Sequence, residues 1–139
     1  MTPIRNFMTA VPHTIGEEQM LELAHELMRK HHIRHLPVLQ GGKLVGLVSE
    51  RDLHLVETLS SVDPAQTRVS EAMSQDVLCV SSSASIFDVA QEMAANKFGS
   101  AVVVDGAKVV GVFTTTDALR VLAGLRSADP WASLPTART

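Results

Sequence analysis

Apolar residues fall at Met20, Leu23, Ala24, Leu27 and Met28, offsets that put one buried stripe along a helix. The same offsets return at Ile86, Val89, Ala90, Met93 and Ala94. Each predicted helix leads into two short apolar runs. Leu36-Pro37-Val38-Leu39 and Leu44-Val45-Gly46-Leu47-Val48 flank Gly41-Gly42, and Ala101-Val102-Val103-Val104 and Val109-Val110-Gly111-Val112-Phe113 flank Asp105-Gly106. Gly-Gly and Asp-Gly between β-branched runs predict tight hairpins. Pro37 has no N–H and is expected where its strand needs no ladder donor. A second helix follows each hairpin, near 51–59 and 116–124. Ahead of each first helix stand a strand end, Thr14-Ile15 or Val80-Ser81, and before that Phe7-Met8-Thr9 or Ala72-Met73-Ser74.

The chain is therefore one unit written twice, strand-helix-strand-strand-helix, at a spacing of about 65 residues. The expected fold is α/β in composition, of the α+β kind. It has a first domain over 1–60, a second over 69–126, a joining stretch rich in Ser, Asp and Pro over 58–68, and a loose tail over 127–139. A unit this short buries little apolar surface alone. Two copies packed sheet to sheet would supply a core and a pseudo-two-fold axis, with clefts beside that axis in a related pair.

Composition narrows the function. Hydrophobic residues make up 45% of the 139, enough for a core, and the formal charge is -3, which leaves no basic footprint for nucleic acid. Four Phe, one Trp and no Tyr provide no stacking platform for single strands. The single cysteine, Cys79, fits a reducing cytoplasm. The N-terminus lacks a signal-peptide pattern, and no apolar run reaches membrane-spanning length. A cytoplasmic protein without nucleic-acid or membrane partners is expected.

The chemistry-bearing pattern is Ser49-x-x-Asp52, repeated as Thr114-x-x-Asp117, each where a strand ends and a helix begins. Positions i and i+3 share a helix face. A carboxylate is acceptor-only and can take both hydroxyls of a ribose, while the hydroxyl and the free N–H groups of a helix start suit a phosphate oxygen. The same spacing is close to an N-terminal capping box, and the two roles can coexist. Arg34 and His35, at the start of the first hairpin, offer a forked donor and a titratable one; a solvated basic patch with Lys30, His31 and His32 is the plainer reading. The second copy has Gly99-Ser100-Ala101 there, and setting Arg34-His35 against Ser100-Ala101 predicts two unequal sites. His25, His31, His32 and His35 raise the question of a metal, but no Cys or acidic partner stands at zinc-like spacing, and no metal site is expected. No Ser-His-Asp order, activated Cys or Walker-type loop is present, so no catalytic residue and no enzyme activity are expected.

The order of pieces resembles the CBS domain family. The matching stretches are Met8-Thr9, Thr14-Ile15, 33–38 and 46–53, then Met73-Ser74, 99–104 and 111–118. The resemblance implies a tandem pair, or Bateman module, whose clefts between repeats hold AMP, ADP, ATP, S-adenosylmethionine or related ligands. It further implies a homodimer. By that resemblance the ligand-binding residues are Thr14, Ile33, Arg34, His35, Pro37, Ser49, Arg51 and Asp52 in the first copy, and Ser81, Gly99, Ser100, Thr114, Thr116 and Asp117 in the second. The Asp would hold ribose, and the Ser or Thr phosphate. The expected ligand is an adenine nucleotide, AMP before ADP or ATP, with no catalytic cofactor. The expected role is regulatory, an energy-sensing module that signals to an unknown protein partner in trans. A structural dimerisation module with vestigial clefts, or binding of S-adenosylmethionine, another nucleotide or a metal, are the alternatives.

Overall fold

The structure, a computed structural model, describes residues 2–10, 13–59 and 61–124. The tail expected over 127–139 and the end of the second domain, 125–126, lie outside them. In chain order the elements are β1 (Thr9–Ala10), β2 (Ile15–Gly16), α1 (Leu21–His31), β3 (His35–Gln40), β4 (Lys43–Ser49), α2 (Glu50–Glu57), β5 (Leu78–Ser81), α3 (Ile86–Asn96), β6 (Ser100–Asp105), β7 (Lys108–Thr114) and α4 (Thr115–Leu122). Short 3-10 turns stand at Ile4–Asn6 and Val69–Glu71. The mixed α+β class and the repeated strand-helix-strand-strand-helix order are those the pattern predicts.

These elements form two compact units. The first-repeat unit is residues 13–77, and the second-repeat unit joins residues 2–10 to 78–124. In the first, β3 is central between parallel β2 and antiparallel β4, and Pro37 precedes Val38, where pairing with β2 begins. Its core is built on Leu21, Ala24, Met28, Leu36, Val38, Val48 and Leu53, joined by Val69 and Ala72. In the second, the order is β1-β7-β6-β5, and the core is Ile86, Val89, Met93, Ala101, Val103 and Phe113, joined by Ile4. Each fully buried Leu or Phe contributes about 1.5–3 kcal/mol.

The 3-10 turn that opens each repeat does not pack in that repeat's own unit. Ile4–Asn6 and the Met8-Thr9 that follows lie in the second-repeat unit. There Ile4 N–H donates to Ala84 O (2.7 Å), and Thr9 pairs with Val112 of β7. Val69–Glu71 and Met73-Ser74 take the matching place in the first-repeat unit. Leu21 N–H donates to Thr67 O (2.8 Å), and Ser74 pairs with Leu47 of β4. Glycine is required where these segments cross. A Cβ at Gly111 would stand 2.5 Å from Met8 Sδ and 2.7 Å from Thr9 O, and one at Gly46 would stand 2.7 Å from Met73 Sδ and 2.8 Å from Ser74 O.

Four expectations need correction. The stripe of α1 is Leu21, Ala24 and Met28, with Leu23 and Leu27 at its edge; Met20 has extended backbone as the N-cap and lies outside the helix. In α3 the buried set is Ile86, Val89 and Met93, while Ala94 is exposed. The second hairpin turns at Gly106-Ala107, since Asp105 still pairs with Lys108, whereas the first turns at Gly41-Gly42 as predicted. Finally, His35 faces Ser49 across its hairpin as Ser100 faces Thr114. Arg34-His35 is therefore equivalent to Gly99-Ser100, not to Ser100-Ala101.

Candidate functional site

Both hydroxyl-x-x-Asp motifs close helix starts. Ser49 is the N-cap of α2: its Oγ accepts from Asp52 N–H (3.0 Å), and Asp52 Oδ2 accepts from Ser49 N–H (2.9 Å). Thr114 caps α4 in the same way, with Asp117 N–H donating to Thr114 Oγ1 (3.2 Å) and Thr114 N–H donating to Asp117 Oδ2 (2.9 Å). The capping role thus holds in both copies, a reciprocal satisfaction of orphan donors at the helix start.

The two carboxylates differ beyond the cap. Asp117 is 1% exposed. Its Oδ1 accepts from Thr9 Oγ1–H (2.9 Å) and from Arg120 Nη1–H (3.3 Å), and its Oδ2 accepts from Thr114 Oγ1–H (3.2 Å) as well as from the cap N–H. Asp52 is half-buried, and among the described residues only its Oδ2 is engaged, by the cap. Ser49 Oγ accepts from Asp52 N–H but donates to none of the described residues, so its hydroxyl proton is uncommitted. Thr9 and Arg120 were absent from the residues singled out in the sequence for binding. Arg120 was findable as an i+3 partner of Asp117; Thr9 was visible only as part of the repeated Met-Thr piece.

The remaining candidates divide in the same way. Arg34 O accepts from Glu50 N–H (2.9 Å), which tethers Arg34 to the first turn of α2 beside Ser49 and Asp52; Arg34 and Arg51 are exposed. His35 opens β3 opposite Ser49, while Thr14 and Ile33 are half-buried at the ends of β2 and α1. Pro37 is buried within β3. In the second copy Gly99 O accepts from Thr115 N–H (3.1 Å) in the place of Arg34. Ser100 opens β6, and Thr116 is exposed. Ser81 Oγ is engaged locally with Ser83, accepting from its N–H at 3.2 Å.

The histidines form pairs. His13 and His31 stack with ring centroids 3.6 Å apart, and His25 Nε2 meets Glu57 Oε2 at 2.6 Å. Desolvation, together with the neighbouring charges of His13, Lys30 and His32, holds His31 below the ordinary imidazole value. Among the described residues, no group of three or more His, Cys, Asp or Glu is arranged to hold a metal. No helix among them is long and apolar enough to cross a membrane.

Comparison with known proteins decides the family, because the CBS domain model matches twice, over residues 4–56 and 69–124. The chain belongs to the CBS domain family. It is 31% identical over 117 residues to the CBS domain-containing protein YhcV of Bacillus subtilis, covering 84% of this chain and 83% of that one. Among solved structures, this CBS pair is similar to CBSX2 in complex with AMP (TM-score 0.73, 25% identity, 89% of this chain and 98% of that one). It is also similar to the CBS domain pair of protein MJ0100 in complex with 5'-methylthioadenosine and S-adenosyl-L-methionine (TM-score 0.72, 26% identity, 87% and 99%). The matching family model is that of a CBS domain and not of a catalytic family.

Proposed function

We propose that this CBS pair is a cytoplasmic regulatory module that binds an adenine nucleotide through the start of α2 and performs no chemistry on it. The observation that carries the reading is the half-exposed Asp52 carboxylate, whose Oδ1 meets no donor among the described residues, beside a Ser49 hydroxyl with its proton uncommitted. An acceptor-only carboxylate suits a ribose diol. The hydroxyl, the first-turn N–H groups, Arg34, Arg51 and His35 suit phosphate, and Thr14, Ile33 and Pro37 belong to the same candidate set. AMP, found with CBSX2, is the first ligand to try. ADP, ATP and S-adenosylmethionine follow, the last in view of the MJ0100 complex. The output, on this reading, passes in trans to a protein partner from a homodimer.

A second reading, a structural dimerisation module, is favoured by exposed leucines on and beside the second helices: Leu55 on α2 and Leu59 just beyond its end, Leu119 and Leu122 on α4, the last 83% exposed. Apolar patches of this kind mark interfaces; Leu125, which extends the pattern in sequence, lies outside the described residues. Thermal shift with AMP, ADP, ATP, S-adenosylmethionine and a guanine nucleotide separates the readings. A ligand at 100-fold its Kd stabilises by about 2.7 kcal/mol. Calorimetry on Asp52→Ala should then show at least a tenfold loss of affinity. No shift with any member of the panel leaves the dimerisation module as the surviving reading.

A further inference from the structure

We infer that Thr9 acts as a built-in stand-in for a ribose hydroxyl at Asp117, so that the second hydroxyl-x-x-Asp motif is sealed by the chain's own N-terminal segment and Asp52 is the only one of the two carboxylates open to a diol. The ligand half of this inference rests on the nucleotide reading above; the sealing half does not.

The geometry is specific to this carboxylate. Thr9 Oγ1–H reaches Asp117 Oδ1 at 2.9 Å and Oδ2 at 3.2 Å, the bridging approach that a sugar hydroxyl would make. Arg120 Nη1 takes the other lone pair of Oδ1 at 3.3 Å. Thr114 adds its hydroxyl and its N–H to Oδ2. A carboxylate offers about four lone-pair sites, and these donors use them. A ribose could enter only by displacing Thr9, which is held by β1 pairing to Val112 and Gly111 of β7 and by the close fit of the segment over Gly111.

The first-repeat unit lacks both outside donors. Ser74 occupies the position of Thr9, but it is exposed and is held to Leu47 through its backbone alone, with N–H and O at 2.8 and 3.0 Å. Leu55 occupies the position of Arg120 and is 58% exposed. The duplicated scaffold therefore keeps both helix caps and leaves one carboxylate, Asp52, open at Oδ1. The inequality of the two sites is set at the carboxylate, in addition to any contribution from Arg34.

Carbodiimide activation with glycine ethyl ester, read peptide by peptide by mass spectrometry, measures carboxylate accessibility without any nucleotide. Asp52 should label at least tenfold faster than Asp117 in the folded protein. Thr9→Ala should raise the Asp117 rate toward that of Asp52, and Thr9→Ser, which keeps the hydroxyl, should leave it protected. Equal labelling of Asp52 and Asp117 in the unsubstituted chain overturns the inference without recourse to any variant. In calorimetry with AMP, one site per chain is expected, and Asp52→Ala should remove it. A site of undiminished affinity surviving Asp52→Ala also overturns it. Protection of Asp117 with no nucleotide bound anywhere refutes the nucleotide reading while leaving the sealing of Asp117 established.

Discussion

Asp52 and Asp117 are each the third residue of a capped helix, α2 in one unit and α4 in the other, yet one is half-open and the other is buried under donors from Thr9, Thr114 and Arg120. The local sequence that forms the cap is nearly the same, so the cap cannot explain the difference. Two positions outside the motif explain it. Thr9 stands where the first-repeat unit has Ser74, and Arg120 stands where it has Leu55. A repeated motif thus preserves its structural role in both copies while the availability of its carboxylate is decided by neighbours outside the motif.

The sharpest test of that contrast is stability. Asp117→Ala removes the carboxylate half of the capping box and leaves the part-buried donors on Thr9, Thr114 and Arg120 without their acceptor, for a combined loss of about 2–4 kcal/mol. Asp52→Ala should cost about 1 kcal/mol, the single bond from Ser49 N–H to Asp52 Oδ2. Urea denaturation of the two variants checks this, and equal losses would break the contrast. Next come the glycines under the crossing segments. Gly111→Ala and Gly46→Ala each force a Cβ against a Met sulfur and a backbone carbonyl, an overpacking cost of about 1–3 kcal/mol. Both should destabilise to a similar degree, because the units are alike there, and only Gly111→Ala should also expose Asp117 to labelling.

A smaller effect separates the equivalent hydroxyls. Thr9→Val loses its bond to Asp117 and should cost about 1 kcal/mol, while Ser74→Ala should stay within about 0.5 kcal/mol of the unsubstituted protein. The smallest is a pH effect confined to the first-repeat unit. His31 is held below the ordinary value by desolvation and by His13, Lys30 and His32, so the folded state disfavours its protonated ring. That contribution is intact above about pH 6.5, the unfolded value. It is lost as the pH falls from there through the depressed folded value. The second-repeat unit has Asn96 at the position of His31. Amide exchange resolved by residue should show loosening of α1 but not of α3 at mildly acid pH, and His31→Gln should flatten the response.

What could be read from the sequence was what is local. The hairpins, the amphipathic helices and the capping boxes all arise from residues within a few positions of one another, and their spacing announced them. The one-position slips at Met20, at Asp105-Gly106 and at Arg34-His35 all fall at element boundaries, where a cap or turn residue resembles a member of the adjoining element. The hydroxyl-x-x-Asp motifs were legible as both cap and candidate site. That the two sites are unequal was legible too, but the difference at their carboxylates was not, because Thr9 reaches Asp117 from the far end of the chain. Neither was the exchange of the Met8-Thr9 and Met73-Ser74 segments, which depends on pairing with Val112 and Leu47 and leaves no periodic trace.

That exchange also sets an order of assembly during synthesis. Residues 13–77 are contiguous, so the first-repeat unit has all its parts once Val77 has emerged from the ribosome. The other unit is discontinuous: Ile4, Met8 and Thr9 precede the first-repeat unit in the chain, but β7 and α4, which receive them, follow it. Loop closure over that separation is slow relative to local folding, so the leading segment, with its apolar Ile4, Phe7 and Met8, must wait unpaired while a complete neighbour folds beside it. Slowing translation beyond Val77 should therefore lengthen the exposure of the N-terminal segment to chaperones and proteases without delaying the fold of the first-repeat unit.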